Sequence, residues 1–348
     1  MPPSVRSMSS PLLATPGAVP ADGPDAGVAA HYGDPFAEQR AVVRGWGVVD
    51  RSPRGVLRIT GADRLSWLHS LTTQNLEQLR PGAAAEALIL SPQGRVEHHL
   101  ALTDDGAAVW LHVEPGEAGS LLDFLTSMRF MLRVEPQDVT AEYAVLTLLG
   151  PDVPAGELVP DAIRVAADLI VPRADLAAGV ARLREAGAAL AGMWAHEALR
   201  IAAGRPRMGL DTDDRTIPHE VGWIETAVHL NKGCYRGQET VARVHNLGHP
   251  PRRLVLLHLD GSEDRLPAHG DQVSLDGAAI GGCGSAARHY ELGPIALALV
   301  KRTSPVGATL TVDGIAAAQE AVVSPDTGAT VQIDAALRRR GDLMGRAR

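Results

Sequence analysis

Apolar positions recur at regular intervals through most of the chain after about residue 40, and their period changes several times. Gly55 to Thr60 reads as a strand, and Ala62 to Leu79 follows with Leu65, Leu68, Leu71, Leu76 and Leu79 on an approximate helical stripe that Pro81-Gly82 ends. Alternation at Ala87 to Leu90, Val96 to Leu102 and Ala108 to Val113 predicts strands, with turns at Ser91-Pro92-Gln93-Gly94 and Asp104-Asp105-Gly106. A helix over Glu117 to Ser127 and an extended piece at Met131 to Val134 complete a region whose element order predicts an α+β sandwich. A second region opens with the apolar run Tyr143 to Leu149. Helices follow at about Arg173 to Ala186 and Trp194 to Ala203, the latter stopped by Gly204 and Pro206. From Leu254 to about Gln332, short alternating runs are separated by Asp260-Gly261, Asp276-Gly277 and Asp313-Gly314, which predicts hairpins and a small β-barrel.

This pattern divides the chain into a flexible or loosely docked leader over 1–38, α+β regions over 39–140 and 141–248, a barrel over 249–333 and a polar tail over 334–348. The leader is rich in Pro, Ala, Gly and Ser, a composition that buries too little apolar surface to offset chain entropy. A length of 348 residues agrees with two or three domains. The net charge of −8 argues against a nucleic-acid or anionic-membrane binder, which would carry a surplus of Lys and Arg. No apolar window of about 18 residues predicts a membrane span. Cys234 and Cys283 form neither a disulfide framework nor a paired zinc motif, the N-terminus lacks the pattern of a secretory signal, and a reducing cytoplasm is the expected location.

Chemistry concentrates between Arg205 and Glu239. The stretch to Tyr235 shows little periodicity but carries Asp211, Asp213, Asp214, His219, Glu220 and Trp223, and a long irregular segment in a compact region is usually functional or disordered. Next comes Lys232-Gly233-Cys234-Tyr235-Arg236-Gly237-Gln238-Glu239. A cation two residues away on either side favours a thiolate at Cys234, and the glycines permit close approach by a ligand or partner. A structural cysteine in a tight turn is the competing interpretation. Gly237 also opens a short helix or extended arm at Gln238 to Val244. His219, His229, Cys234, His245 and His249 lie close in sequence, but zinc needs three or four convergent ligands and no metal site is expected. A Cys-His hydrolase lacks a visible oxyanion-hole motif or orienting acid.

The octapeptide resembles the signature of the YgfZ family of folate-binding proteins, which are linked to assembly and repair of iron–sulfur clusters. The resemblance extends to Arg205-Pro206-Arg207-Met208-Gly209 and Ile217-Pro218-His219-Glu220-Val221-Gly222, which are similar to segments of this family and of the related glycine cleavage T protein. Val49-Asp50-Arg51-Ser52 and Val56 to Asp63 resemble the opening of the same superfamily, so coverage runs from about residue 40 to residue 330. The resemblance implies a three-domain glycine cleavage T-protein-like fold, tetrahydrofolate or a derivative as cofactor, and iron–sulfur client or assembly proteins as partners. It also implies Cys234 as the functional thiol, with Lys232 and Arg236 beside it. Glu220 matches a Pro-x-Glu position and would accept the paired N–H donors of a pterin. Trp223 and Tyr235 would border the ring, although Trp223 is equally a candidate core residue, and Arg252 or Arg253 would meet the glutamate tail. Where the transferase pattern has two aspartates this chain aligns His98 and His99, and Gln74-Asn75 replaces an Asn-Asp pair. An imidazole cannot supply a carboxylate's field, so an accessory role is expected, with a folate-dependent aminomethyltransferase or demethylase as the alternative. At consecutive strand positions His98 and His99 point to opposite faces.

Overall fold

The strand Gly55–Thr60 sits between Ala108–Val113 and Glu135–Asp138, all antiparallel, and Val96–Asp104 and Ala84–Leu90 extend the sheet beyond Ala108–Val113. The structure is a computed structural model describing residues 9–329; the tail expected over 334–348 and residues 1–8 of the leader lie outside the described residues. The pleat sends Leu57, Ile59, Leu100, Leu102 and Leu111 to one face, where the helices Arg64–Leu71 and Ala118–Ser127 contribute Leu68 and Leu121. Val56, Ala108 and Trp110 point the other way and meet Val145, Val165 and Ile170 of a second sheet. Its strand order is Ile163–Val165, Asp168–Pro172, Tyr143–Leu149, Gly47–Asp50, Ala189–Ala191, and only the last pair is parallel. Helix Leu176–Glu185 packs Leu176, Val180 and Leu183 on the outer face of that sheet. Gly47–Asp50 therefore belongs to the second layer, although it precedes the first in sequence.

The third unit is a closed six-stranded barrel in the order Arg252–Leu259, Gly293–Lys301, Ala278–His289, Gln272–Leu275, Leu310–Val312, Ile315–Ala321. Asp276-Gly277 (φ 50° and 79°) and Asp313-Gly314 (φ 46° and 80°) close its two tight hairpins, because this turn needs positive φ at both central residues. Asp260-Gly261 behaves differently and opens a long loop, since Arg252–Leu259 pairs with Gly293–Lys301 and Ile315–Ala321 rather than with its neighbour in sequence. The molecule is thus a three-unit α+β protein with a C-terminal barrel.

Three local expectations are corrected. Of the flexible and loosely docked alternatives for the leader, residues 9–38 take a docked form with elements of its own: Val19–Pro20 pairs with Ala29–His31, Asp34 caps helix Pro35–Arg44 by accepting from Phe36 N and Ala37 N, and Val28 packs with Met193 and Ala195. The segment has little apolar surface of its own, but it completes cores owned by other elements. Gln39 ties it to the barrel, donating to the Arg288 carbonyl at 3.0 Å and accepting from Tyr290 N at 2.9 Å. The predicted helix to Leu79 stops at Leu71, because the chain turns extended at Thr72 and Thr73 N then donates to the Leu88 carbonyl at 3.0 Å. Leu76 still reaches the core, so the apolar stripe records burial beyond the helix end. The extended piece expected at Met131 to Val134 is irregular, and the strand begins at Glu135.

Candidate functional site

Gly237, with φ 82°, precedes helix Gln238–Leu247 and fastens the signature loop to the first sheet. A Cβ there would lie 2.5 Å from the Ser91 carbonyl oxygen, and one on Gly94 would lie 2.7 Å from Thr240 Cβ. The two glycines let the turn at Ser91 to Gly94 and the loop touch backbone to backbone; at Gly233 a Cβ would meet nothing within 4 Å. Lys232 fastens the loop on its other side. Its ammonium donates to the carbonyls of His69, Thr72 (2.5 Å) and Gln74 (3.1 Å), satisfying the open end of helix Arg64–Leu71, and lies 5.2 Å from the Tyr235 ring centre. Burial lowers the Lys232 pKa to about 8 and pushes the Tyr235 hydroxyl up to about 12. Arg236 reaches Glu97 at 2.9 Å and sits 5.6 Å from the Phe124 ring centre. The cations flanking Cys234 in sequence are thus committed to other partners, while Cys234 itself is exposed.

Glu220 lies in the short turn Pro218–Glu220 and is fully buried. Arg252 Nε and Nη2 donate to its two oxygens, each at 2.8 Å, and Ile217 N donates at 3.1 Å. Arg252 also grips Asp213 at 2.6 and 2.9 Å. Arg253 points into the barrel wall, fully buried, donating to the Ser304 carbonyl at 3.1 Å and Gln319 Oε1 at 2.8 Å. Neither arginine is poised for a folate tail: strand alternation turns one inward, and the other closes on Glu220.

Trp223 is 4% exposed and lies in the core between the barrel and the first sheet. His99 stacks on it with ring centres 4.4 Å apart, and His99 Nε2 lies 3.1 Å from Glu86 Oε2. Thr226 donates to the same carboxylate at 3.3 Å. The bond to His99 holds the Glu86 carboxyl below its ordinary range. His98, on the opposite face, sits 3.3 Å from Glu117. Glu86, 45% exposed on its side chain, is the carboxylate that sequence reasoning missed; the strand register opposing Leu88 to His99 leaves it diagonal to that histidine.

A second constellation lies where the units meet. Arg207 donates to Asp25 (2.8 and 3.0 Å), Glu114 (3.0 and 2.8 Å) and Glu197 (2.8 Å). Arg200 bridges Glu197, Asp211 and the barrel residue Ser285. Against the burial that would raise it, Arg54, Arg207 and Arg51 hold Glu114 well below the usual carboxylate range. Among the described residues no group of three or more His, Cys, Asp or Glu is arranged to hold a metal ion.

Residues 31–159 match the GCVT N-terminal domain family. Over 309 residues it is 28% identical to a chloroplastic protein of Arabidopsis thaliana provisionally named a transferase, covering 76% of this chain and 68% of that one. It is 27% identical over 327 residues to an aminomethyltransferase of Nostoc, covering 82% and 85%. The solved glycine cleavage system aminomethyltransferase T of Bartonella henselae superposes with a TM-score of 0.76 at 17% identity, over 90% of this chain and 96% of that one. The overall fold, barrel included, is therefore glycine cleavage T-like. Within it, the structure brings Lys232, Cys234, Tyr235 and Arg236 together on one fixed loop, and sets His99 between Trp223 and Glu86. It leaves Arg253 apart from both groups.

Proposed function

We propose that this protein binds tetrahydrofolate and acts as an accessory factor in assembly or repair of iron–sulfur enzymes, presenting Cys234 as its functional thiol. The observation that carries this reading is the exposure of Cys234 on a loop immobilised at both ends, by Lys232 on one side and the Gly237–Gly94 contact on the other. A fixed loop with a solvent-facing thiol suits an encounter with a macromolecular partner, through transient ligation of iron, exchange with a client thiol or oxidation. The YgfZ-like signature supports the same role.

Glu86 fits the pterin better than Glu220 does. Glu220 has both oxygens taken by Arg252, whereas Glu86 is half-exposed, with its carboxylate held by Thr226 and by His99, which stacks on Trp223. A carboxylate so placed accepts the paired N–H donors of a pterin. Tetrahydrofolate supplies one-carbon acceptor chemistry when bound; the residues here bind and orient it. The same carboxylate favours a second reading, folate-dependent aminomethyl transfer or demethylation, because it returns an acid to a site where His98 and His99 align with the transferase aspartates.

Titration calorimetry with tetrahydrofolate tests the binding claim: Glu86→Gln weakens affinity by about 1.5–3 kcal/mol, and Cys234→Ala leaves it unchanged. Turnover of a methylamine donor separates the readings. Absence of turnover, together with loss of iron–sulfur enzyme activity in cells carrying Cys234→Ala, supports the accessory role. Efficient turnover that survives Cys234→Ala, with undisturbed cluster enzymes, establishes the transferase.

A further inference from the structure

A cleft of about 410 Å³ opens where the N-terminal segment, helix Met193–Ala202 and barrel strand Ala278–His289 meet, and neither Cys234, Glu86 nor Glu220 lines it. Its volume falls in the range of small-molecule sites. Two large aromatic side chains are left in solvent along its walls, Phe36 at 37% and Trp194 at 54% exposure, and His31 backs the indole with ring centres 5.0 Å apart.

The charges around these rings are unequally satisfied. Asp25 and Glu197 each lie 2.8 Å from Arg207, and Arg288 lies 2.7 Å from Asp264. Asp22 lines the cleft as well, but its carboxylate has no ion pair or hydrogen bond to the described residues. The uncompensated charge in the cleft is therefore negative and accompanies two aromatic faces, a combination that attracts cations with an apolar body.

We propose that this cleft binds a small organic cation, a primary or secondary amine on an apolar or aromatic body, with its ammonium on Asp22 and its body between Phe36 and Trp194. The site is independent of the folate reading, since it shares none of that reading's residues.

Phenethylamine titrated into the full-length protein, followed by calorimetry and tryptophan fluorescence, tests the proposal. Saturable binding is expected, with 3-phenylpropionate and N-acetylphenethylamine each weaker by roughly fivefold or more. Asp22→Asn and Trp194→Ala each lower affinity by roughly fivefold, and both side chains are exposed, so the fold tolerates the changes. Equal affinity for the amine and the carboxylate, wild-type affinity in Asp22→Asn, or no saturation by about 10 mM phenethylamine would each overturn it.

Discussion

Arg252 closes on Glu220 through two parallel hydrogen bonds of 2.8 Å, which makes the superfamily-like glutamate a clamp between the irregular segment and the first barrel strand. Removing the carboxylate leaves Arg252 with Asp213 and a long 3.4 Å contact to Thr216, and Ile217 N without its Glu220 acceptor. Glu220→Ala should lower unfolding free energy by about 3 kcal/mol, read from urea midpoints. Wild-type stability in that variant would show that the clamp is not structural.

Lys232→Met removes three charged donations to the end of helix Arg64–Leu71 while keeping the length of the stem. The expected loss is about 1.5–3 kcal/mol. Hydrogen exchange should rise at residues 69–75, and an unchanged exchange pattern there would count against the capping role.

The two glycines of the signature should behave unlike one another. Gly237→Ala meets both a positive φ and the Ser91 carbonyl, so it should cost more than about 1 kcal/mol and move the loop away from the turn. Gly233→Ala meets no atom within 4 Å and should melt close to wild type. Equal melting temperatures for the two variants would refute the backbone contact.

The two thiols should separate cleanly by reactivity. Cys234 is exposed, whereas Cys283 is buried in the barrel and burial pushes its pKa up to about 12. Iodoacetamide should modify one site on the native protein at neutral pH, identified by peptide mass spectrometry as Cys234, and the second only in denaturant. Rapid native labelling of Cys283 would contradict the closed barrel.

Acid should weaken the fold through two histidines. Burial, followed by His245, lowers His219 to about 4, and burial, followed by Arg51, lowers His196 to about 4. An unfolded imidazole titrates near 6.5, at roughly 1.4 kcal/mol per unit of difference. The unfolded chain therefore binds more protons between these values, so stability rises with pH from about 4 to 6.5 and is lost as pH falls through that window, by about 3 kcal/mol per histidine. His219→Gln should flatten the pH dependence of the urea midpoint by about half. An unchanged slope would assign the acid lability elsewhere.

Strand Ala108–Val113 is legible because its apolar run, buried at every position, is local, and Asp276-Gly277 because the hairpin it closes requires the dihedrals those residues tolerate. The partners of the site residues are not. Lys232 finds its carbonyls 158 to 163 positions away, and Arg207 finds Asp25 182 positions away. No local pattern encodes such pairings, so a cation beside Cys234 in sequence could be placed near the thiol without being bonded to it. Glu86 was missed for the same reason: its importance comes from strand register, which sets it against His99, and from Thr226 across the domain contact. Composition measures what a segment can bury alone, so it hides the docking of the N-terminal segment, where Val28 is buried against Met193 and Ala195.

The position of Gly47–Asp50 between Tyr143–Leu149 and Ala189–Ala191 also constrains the order of events during synthesis. An early strand cannot find its antiparallel neighbour until roughly a hundred more residues have left the ribosome, and its parallel neighbour emerges later still. Through that interval its Val48 and Val49, both fully buried in the finished molecule, have no permanent cover. The first sheet has all its strands by Asp138 and can form ahead of the second. Translation pauses or chaperone engagement between these two points would therefore act on a half-built protein whose first layer exists and whose second has only the unpaired Gly47–Asp50.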